Sequence, residues 1–165
     1  MINLLGYNLL SAYLIKGDRI LAYSLNFDRS SLIRQLEKIR DFHGLEAEIV
    51  FNERLDEYFE EKLKGFFKYK RNLLDIDLSL YRYSEVYREL LRIPFGGVVT
   101  YSDFYRRVGK YSFFEVIRAL TRNPFIIFIP CHRLVRKDGK IGGYAPLGKA
   151  FKEKIIEFER GIKEK

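Results

Sequence analysis

Tryptophan is absent from these 165 residues, cysteine and methionine occur once each, histidine twice and proline four times. One cysteine excludes a disulfide within the chain and a zinc site built on several thiolates, and it points to a compartment where thiols stay reduced, the cytoplasm. Long apolar runs are also missing. The longest, residues 125–130, falls far short of the ~20 residues of a membrane-spanning helix. Residues 4–15 are apolar enough to resemble the core of a signal peptide, yet they contain Asn8 and Ser11 and lack a basic start and a small-residue cleavage site. They read as a buried strand. Glutamine appears once, at Gln35, against abundant Lys, Arg and Glu, a balance that fits heat-adapted proteins.

What is present is core material and positive charge. The 14 Phe and 12 Tyr belong to a composition that is 47% hydrophobic and 32% charged. A chain of this length buries about two-thirds of its unfolded surface, as one domain or two small lobes. The formal charge of +8 is unevenly placed, for residues 1–80 hold 12 basic and 13 acidic side chains while residues 81–165 hold 18 and 9. A basic excess confined to one half suits a phosphate-binding surface, and it is equally a property of soluble basic proteins.

Residues 8–15 and 19–27 are rich in Leu, Tyr and Ile and flank Lys16-Gly17-Asp18, so they are expected to pair as a hairpin with Gly17 at positive φ. Residues 28–42 space Leu32, Leu36 and Ile39 at helical intervals. Residues 46–51 read as a third short strand, and 54–67 as a helix with Leu55, Phe59 and Leu63 on one face. Residues 68–81, basic and then apolar, are read as an extended crossing. The expected division is an N-terminal α/β lobe with its linker over 1–80 and a helical domain over 81–165.

The second half is punctuated more clearly. Ser84 opens a helix carrying Val86, Leu90 and Leu91 that stops at Pro94-Phe95-Gly96-Gly97. Thr100-Tyr101-Ser102-Asp103 and Ser112-Phe113-Phe114-Glu115 both read as capping boxes. Gly109 ends the first helix they open, and Asn123-Pro124 breaks the second after Arg122. Two short capped helices around a tight turn suggest a helix-turn-helix, although any such pair in a bundle has the same marks. Arg106, Arg107, Lys110, Arg118 and Arg122 outnumber Asp103 and Glu115 there, which tilts the reading towards DNA.

The chemistry concentrates where an apolar segment ends in Pro130 and delivers Cys131, His132 and Arg133 in succession. A free thiol has a pKa of about 8.5, and a neighbouring cation or base lowers it into the reactive range. Sequence neighbours point in different directions, so His132 is expected to take the thiol proton through a bridging water while Arg133 adds positive field. The ordinary alternatives are a buried structural cysteine beside an unrelated histidine, and an Arg133 that serves an ion pair.

Pro130-Cys131-His132-Arg133-Leu134-Val135, the upstream Asn123-Pro124 and the helix-turn-helix opening at Thr100-Tyr101 together resemble the methylated-DNA–protein-cysteine methyltransferases, or O6-alkylguanine-DNA alkyltransferases. The likeness is close from residue 93 to about residue 161 and limited to coarse element order before residue 80. It implies an α+β fold, with a small ribonuclease-H-like antiparallel sheet and helices followed by a helical domain containing the helix-turn-helix. It also implies a single-turnover reaction: Cys131 attacks the alkyl carbon on guanine O6 in line and keeps it as a thioether, with no cofactor and no metal. Carried over by position, His132 is the base, Glu159 the acid that orients it, and Asn123 the tie between the helix-turn-helix and the thiol segment. Tyr101 is the phenol that donates to the guanine ring, and Tyr144 and Ala145 belong to the loop over the everted base. Thr100, Phe114, Arg118 and Arg122 fall among the DNA contacts. The implied partner is duplex DNA containing O6-alkylguanine, engaged from the minor groove by a monomer that rotates the base into a pocket.

Each position also has a plainer reading. Tyr101 can be packing after a cap, Asn123 a helix terminator, and Glu159 an i,i+4 partner of Lys163 in a last helix over 149–165. The chain also departs from the family. Where the second helix usually opens with Arg-Ala-Val-Gly, this chain has Phe114-Glu115-Val116-Ile117-Arg118. Either Phe114 acts as an apolar wedge or Arg118, one turn later, supplies the cation. Pro146 stands where the family often has Gly, which removes an amide from the base loop. Two other functions are open to the sequence. One is a sensor of alkylated bases, a branch in which the cysteine is replaced; the other is a hydrolase that turns over small esters or amides through Cys131, His132 and Glu159.

Overall fold

Four strands, β1 (Ile2–Leu4), β2 (Tyr7–Lys16), β3 (Arg19–Asn26) and β4 (Glu48–Val50), form an antiparallel sheet in which β2 pairs with each of the others. The computed structural model describes residues 1–164, with side chains through Gly161. By contacts the chain divides into two units. Residues 1–75 and 124–128 form the first, and the remainder the second.

The hairpin of β2 and β3 turns through Gly17 at φ 63° as the sequence suggests. Strand β1 is an addition. It turns into β2 through Leu5 and Gly6, both at positive φ (51° and 84°), the backbone of a type I′ turn. A leucine in the first of those positions gives no sequence signal for it. Helix α1 (Arg29–His43) is capped by the Asp28 carboxylate, which accepts from Ser31 N at 2.8 Å, and it ends at Gly44 in the left-handed conformation. Its Leu32, Leu36 and Ile39 pack on Ala12, Leu14 and Ala22 from one face of the sheet.

The opposite face is aromatic. Tyr13 and Tyr23 are cross-strand partners, and Phe59 of α2 (Glu53–Tyr69) stacks on Tyr23 at 4.7 Å and lies 5.2 Å from Tyr13. Residues 124–128 complete this layer: Tyr23 N donates to Pro124 O at 3.0 Å, its hydroxyl donates to Ile126 O, and Phe128 lies 5.7 Å from its ring. The buried Asp56 carboxylate accepts from the Ser11 and Tyr13 hydroxyls. The stretch expected to be extended, 68–81, begins as the last turn of α2, closed by Lys70 at φ 58°. It later contains a 3-10 turn at Leu78–Leu80.

The second unit holds α3 (Ser84–Leu91), β5 (Val99–Thr100), α4 (Tyr101–Val108), α5 (Phe113–Thr121), β6 (Leu134–Val135) and α6 (Lys149–Glu164). Lys165, the expected end of the last helix, lies outside the described residues. The Thr100 hydroxyl caps α4 by accepting from Asp103 N at 3.2 Å, while the Asp103 carboxylate pairs with Arg106 on its own helix, so only half of the first capping box forms. The Ser112–Glu115 box on α5 is complete. Arg122 is the C-cap of α5, and Tyr87 of α3 donates its hydroxyl to Ala119 O at 2.7 Å. β5 and β6 pair in parallel, Val99 opposite Leu134 and Thr100 opposite Val135. That short ladder positions the site, because α4 starts directly after β5 and the 3-10 turn Cys131–Arg133 ends directly before β6. Among the described residues no helix is long and apolar enough to cross a membrane.

Candidate active site

Cys131 opens its 3-10 turn in the wall of a cavity of about 470 Å³ lined by Tyr101, Ile117, Leu120, Thr121, Gly143, Tyr144 and Ala145. Cys131 lines this hollow although it is largely buried. The Asn123 amide donates to Sγ at 3.3 Å and to Ile129 O at 2.8 Å, so one side chain ties the break after α5 to the thiol segment. Burial pushes the thiol pKa up, against weaker lowering by the Asn123 amide and by the Lys152 ammonium. This reverses the sequence expectation of a depressed thiol. The cation adjacent in sequence, Arg133, is committed elsewhere.

Arg133 serves Glu159. Its Nη2 lies 2.6 Å from Oε2 and its Nε 3.2 Å from both carboxylate oxygens, while Nη1 donates to Ile93 O at 2.8 Å. The other face of Glu159 meets His132 Nε2 at 2.7 Å, and all three side chains are buried. Burial alone would raise the Glu159 carboxyl, but His132 and Arg133 together outweigh it and hold it below the ordinary range. The ionised carboxylate makes Nε2 the protonated nitrogen, leaving the Nδ1 lone pair as the acceptor. Among the described residues Nδ1 has no protein hydrogen-bond partner. Burial also holds the imidazole pKa below its usual value, only partly opposed by Glu159, so the ring stays neutral. Lys163, the plainer partner for Glu159, lies outside the described side chains.

Tyr101, first residue of α4, lines the cavity, and burial pushes its phenol up to about 12, so it remains a proton donor at neutral pH. Its hydroxyl accepts from Lys152 Nζ at 3.1 Å. Lys152 is fully buried on α6, its Nζ 3.4 Å from Gly143 O, and burial brings its ammonium down to about 8. Lys152 is not among the residues that the sequence motifs single out. A signal exists: Lys152 and Glu159 are seven residues apart on the helix face that buries Ile155 and Ile156, so both occupy positions where α6 is otherwise apolar.

The expected residues therefore fall into two sets. Cys131, Asn123, His132, Glu159, Tyr101, Tyr144 and Ala145 lie in or around the cavity. Thr100 is one residue away, with its hydroxyl in the cap of α4. Phe114, Arg118 and Arg122 do not line it. Phe114 is 76% exposed at the start of α5 beside a 56% exposed Phe113, Arg118 is exposed, and Arg122 donates to Thr121 Oγ1 at 2.7 Å. Glu115 is turned into its cap by a bond from Ser112 N at 3.1 Å.

Known proteins resemble this chain in sequence and in fold. Residues 82–161 match the family described as 6-O-methylguanine DNA methyltransferase, DNA binding domain. A methylated-DNA–protein-cysteine methyltransferase of Saccharolobus islandicus is 38% identical over 113 residues, covering 68% of this chain and 69% of the relative. One from Metallosphaera sedula is 38% identical over 112 residues, 66% of this chain, and the match spans just under two-thirds of that relative, 65%. Among solved structures, the O6-methylguanine-DNA methyltransferase of the hyperthermophilic archaeon Pyrococcus kodakaraensis superposes with a TM-score of 0.69 over 89% of both chains at 26% identity. A Mycobacterium tuberculosis homologue solved in complex with DNA gives 0.50 over 65% of this chain and 67% of that one, at 25% identity. With 38% identity to a named relative over more than two-thirds of both chains and a shared α+β fold, this chain belongs to the methylated-DNA–protein-cysteine methyltransferase family.

Proposed function

We propose that this chain repairs DNA by moving the alkyl group of O6-alkylguanine to Cys131, once per molecule and irreversibly. The observation that carries this reading is a cavity-wall thiol followed in sequence by an imidazole whose Nδ1 is buried and unpartnered while Nε2 is held by an ionised carboxylate. Through a bridging water, Nδ1 takes the thiol proton. The sulfur lone pair attacks the alkyl carbon, the S–C bond forms as the C–O6 bond breaks, and the electron pair passes into the guanine ring. Tyr101 then supplies a proton to the departing base, and Lys152, donating to the phenol oxygen, stabilises the charge that develops there. The thioether has no leaving group that water can displace, so the protein acts as a reagent. Every group named comes from one chain, so a monomer suffices, and the thiol chemistry fits the cytoplasm.

An O6 substituent lies inside the duplex stack, so the nucleotide must be rotated out at a cost of a few kcal/mol. α5, with its exposed aromatic start, is the element we assign to the minor groove, and Phe114 rather than Arg118 to the space the base leaves. Incubation with a duplex carrying O6-methylguanine, followed by intact-mass and peptide analysis, should show one methyl per protein on Cys131. Binding without mass change would favour the sensor, and steady turnover of small acyl substrates the hydrolase. Phe114→Ala is expected to slow repair of duplex by roughly 10- to 100-fold, the scale of one lost base-stacking contact, and to leave reaction with free O6-benzylguanine unchanged. Equal slowing of both reactions discards the wedge.

A further inference from the structure

A second basic and aromatic feature lies on the first unit, on residues that take no part in the proposed alkyl transfer. Residues 62–71 contain Lys62, Lys64, Lys68, Lys70 and Arg71 and no carboxylate, within a half of the chain that is slightly acidic overall. Along the outward face of α2, Tyr58, Lys62, Gly65 and Tyr69 form one row and Glu61, Lys64 and Lys68 the next, at the three- and four-residue spacing that puts side chains side by side. With Leu73 these residues line a groove of about 390 Å³. Gly65 keeps the groove open, since a Cβ there would sit 2.8 Å from Leu73 Cδ1. Both tyrosines are exposed, and each has a lysine over its ring: Lys62 at 5.4 Å from the Tyr58 centroid and Lys68 at 5.4 Å from the Tyr69 centroid.

We propose that this groove binds single-stranded nucleic acid. Two exposed aromatic rings paired with cations are the means by which proteins hold unpaired strands without reading sequence, bases stacking on the rings and phosphates lying against the lysines. Tyr58 and Tyr69 are eleven residues apart, about 16 Å of helix axis, which spans roughly five nucleotides at ~3.4 Å each. Glu61 repels phosphate at one end and directs the backbone towards Lys64, Lys68 and Arg71. The charge favours a polyanion, and the flat rings favour a base over an acidic side chain.

The inference stands independently of the alkyl-transfer reading and is tested with the full chain. Fluorescence anisotropy of a labelled oligothymidylate is measured against salt for the native protein, for Lys64→Gln/Lys68→Gln and for Tyr58→Ala/Tyr69→Ala. The lysine pair should lower the slope of log affinity against log salt by about 1.4, the value for two phosphate contacts on a single strand. The tyrosine pair should weaken binding about tenfold or more. Transfer of the benzyl group from free O6-benzylguanine to Cys131 should be unchanged in both variants, which also reports that they are folded. Oligothymidylate affinity and slope equal to native in both variants overturns the proposal. So does a polyglutamate peptide that binds as tightly as the oligonucleotide.

Discussion

Cys131→Ala is expected to remove alkyl transfer altogether, with no methyl gained on any residue, while affinity for duplex DNA stays within about twofold of native, because phosphate contacts dominate such binding and none is lost. The expectation rests on the separation seen in the second unit. Cys131 lines a cavity, whereas Arg106 and Arg107 of α4 and Phe113, Phe114 and Arg118 of α5 are exposed. The substitution removes the bond from Asn123 to Sγ, but the Asn123 amide keeps Ile129 O at 2.8 Å, so the segment stays tied. Mass analysis and gel shift on the same preparation check both halves. Loss of DNA binding together with transfer would mean that the thiol is chiefly a packing element, and methyl gain in the variant would move the acceptor elsewhere.

Much of this arrangement is legible before any coordinates, for identifiable reasons. The Leu, Tyr and Ile of residues 8–27 and the caps at Thr100, Ser112 and Gly109 are local signals, read within a few residues, and the corresponding elements stand where those signals lie. The Asn-Pro and Pro-Cys-His-Arg motifs likewise sit in one contiguous stretch. What escapes is set by partners remote in sequence. Residues 124–128 count with the first unit because Tyr23 holds their carbonyls, and nothing near residue 124 announces that. Arg133 reads as a tuner of the adjacent thiol until α6 brings Glu159 to it, and the thiol is then governed by its burial. Lys152 escapes because a lysine on a helix is ordinarily a solvated one; only its register with Ile155, Ile156 and Glu159 marks it as buried.

Glu159→Gln tests the relay at its most constrained point. A glutamine amide in that place keeps the shape but offers an N–H to His132 Nε2, which drives the ring proton to Nδ1 and turns that buried, unpartnered acceptor into a donor. The transfer rate from free O6-benzylguanine, followed in a single turnover, is expected to fall by roughly 10²- to 10⁴-fold, the range for a lost or misdirected general base. The variant also leaves the buried Arg133 guanidinium without its counter-charge, a change that costs about 3–5 kcal/mol in buried pairs. The same groups set the response to acid. A carboxyl held low, as Glu159 is, contributes stability present above its unfolded pKa of about 4.3 and lost as pH falls through the folded value. His132, held low by burial, lets the unfolded chain bind a proton first once the pH drops below about 6.5. Both make stability decline with falling pH, so the native protein should lose stability progressively below about pH 6.5, and the deficit of Glu159→Gln should narrow as pH falls below about 4.3, where the unfolded chain's carboxyl takes up its proton before the folded one. Denaturant titrations of both proteins across that range, run beside the transfer assay, give the result. A variant that transfers within about twofold of native at pH 7 would show that the imidazole is not poised by this carboxylate, and the proton would need another acceptor.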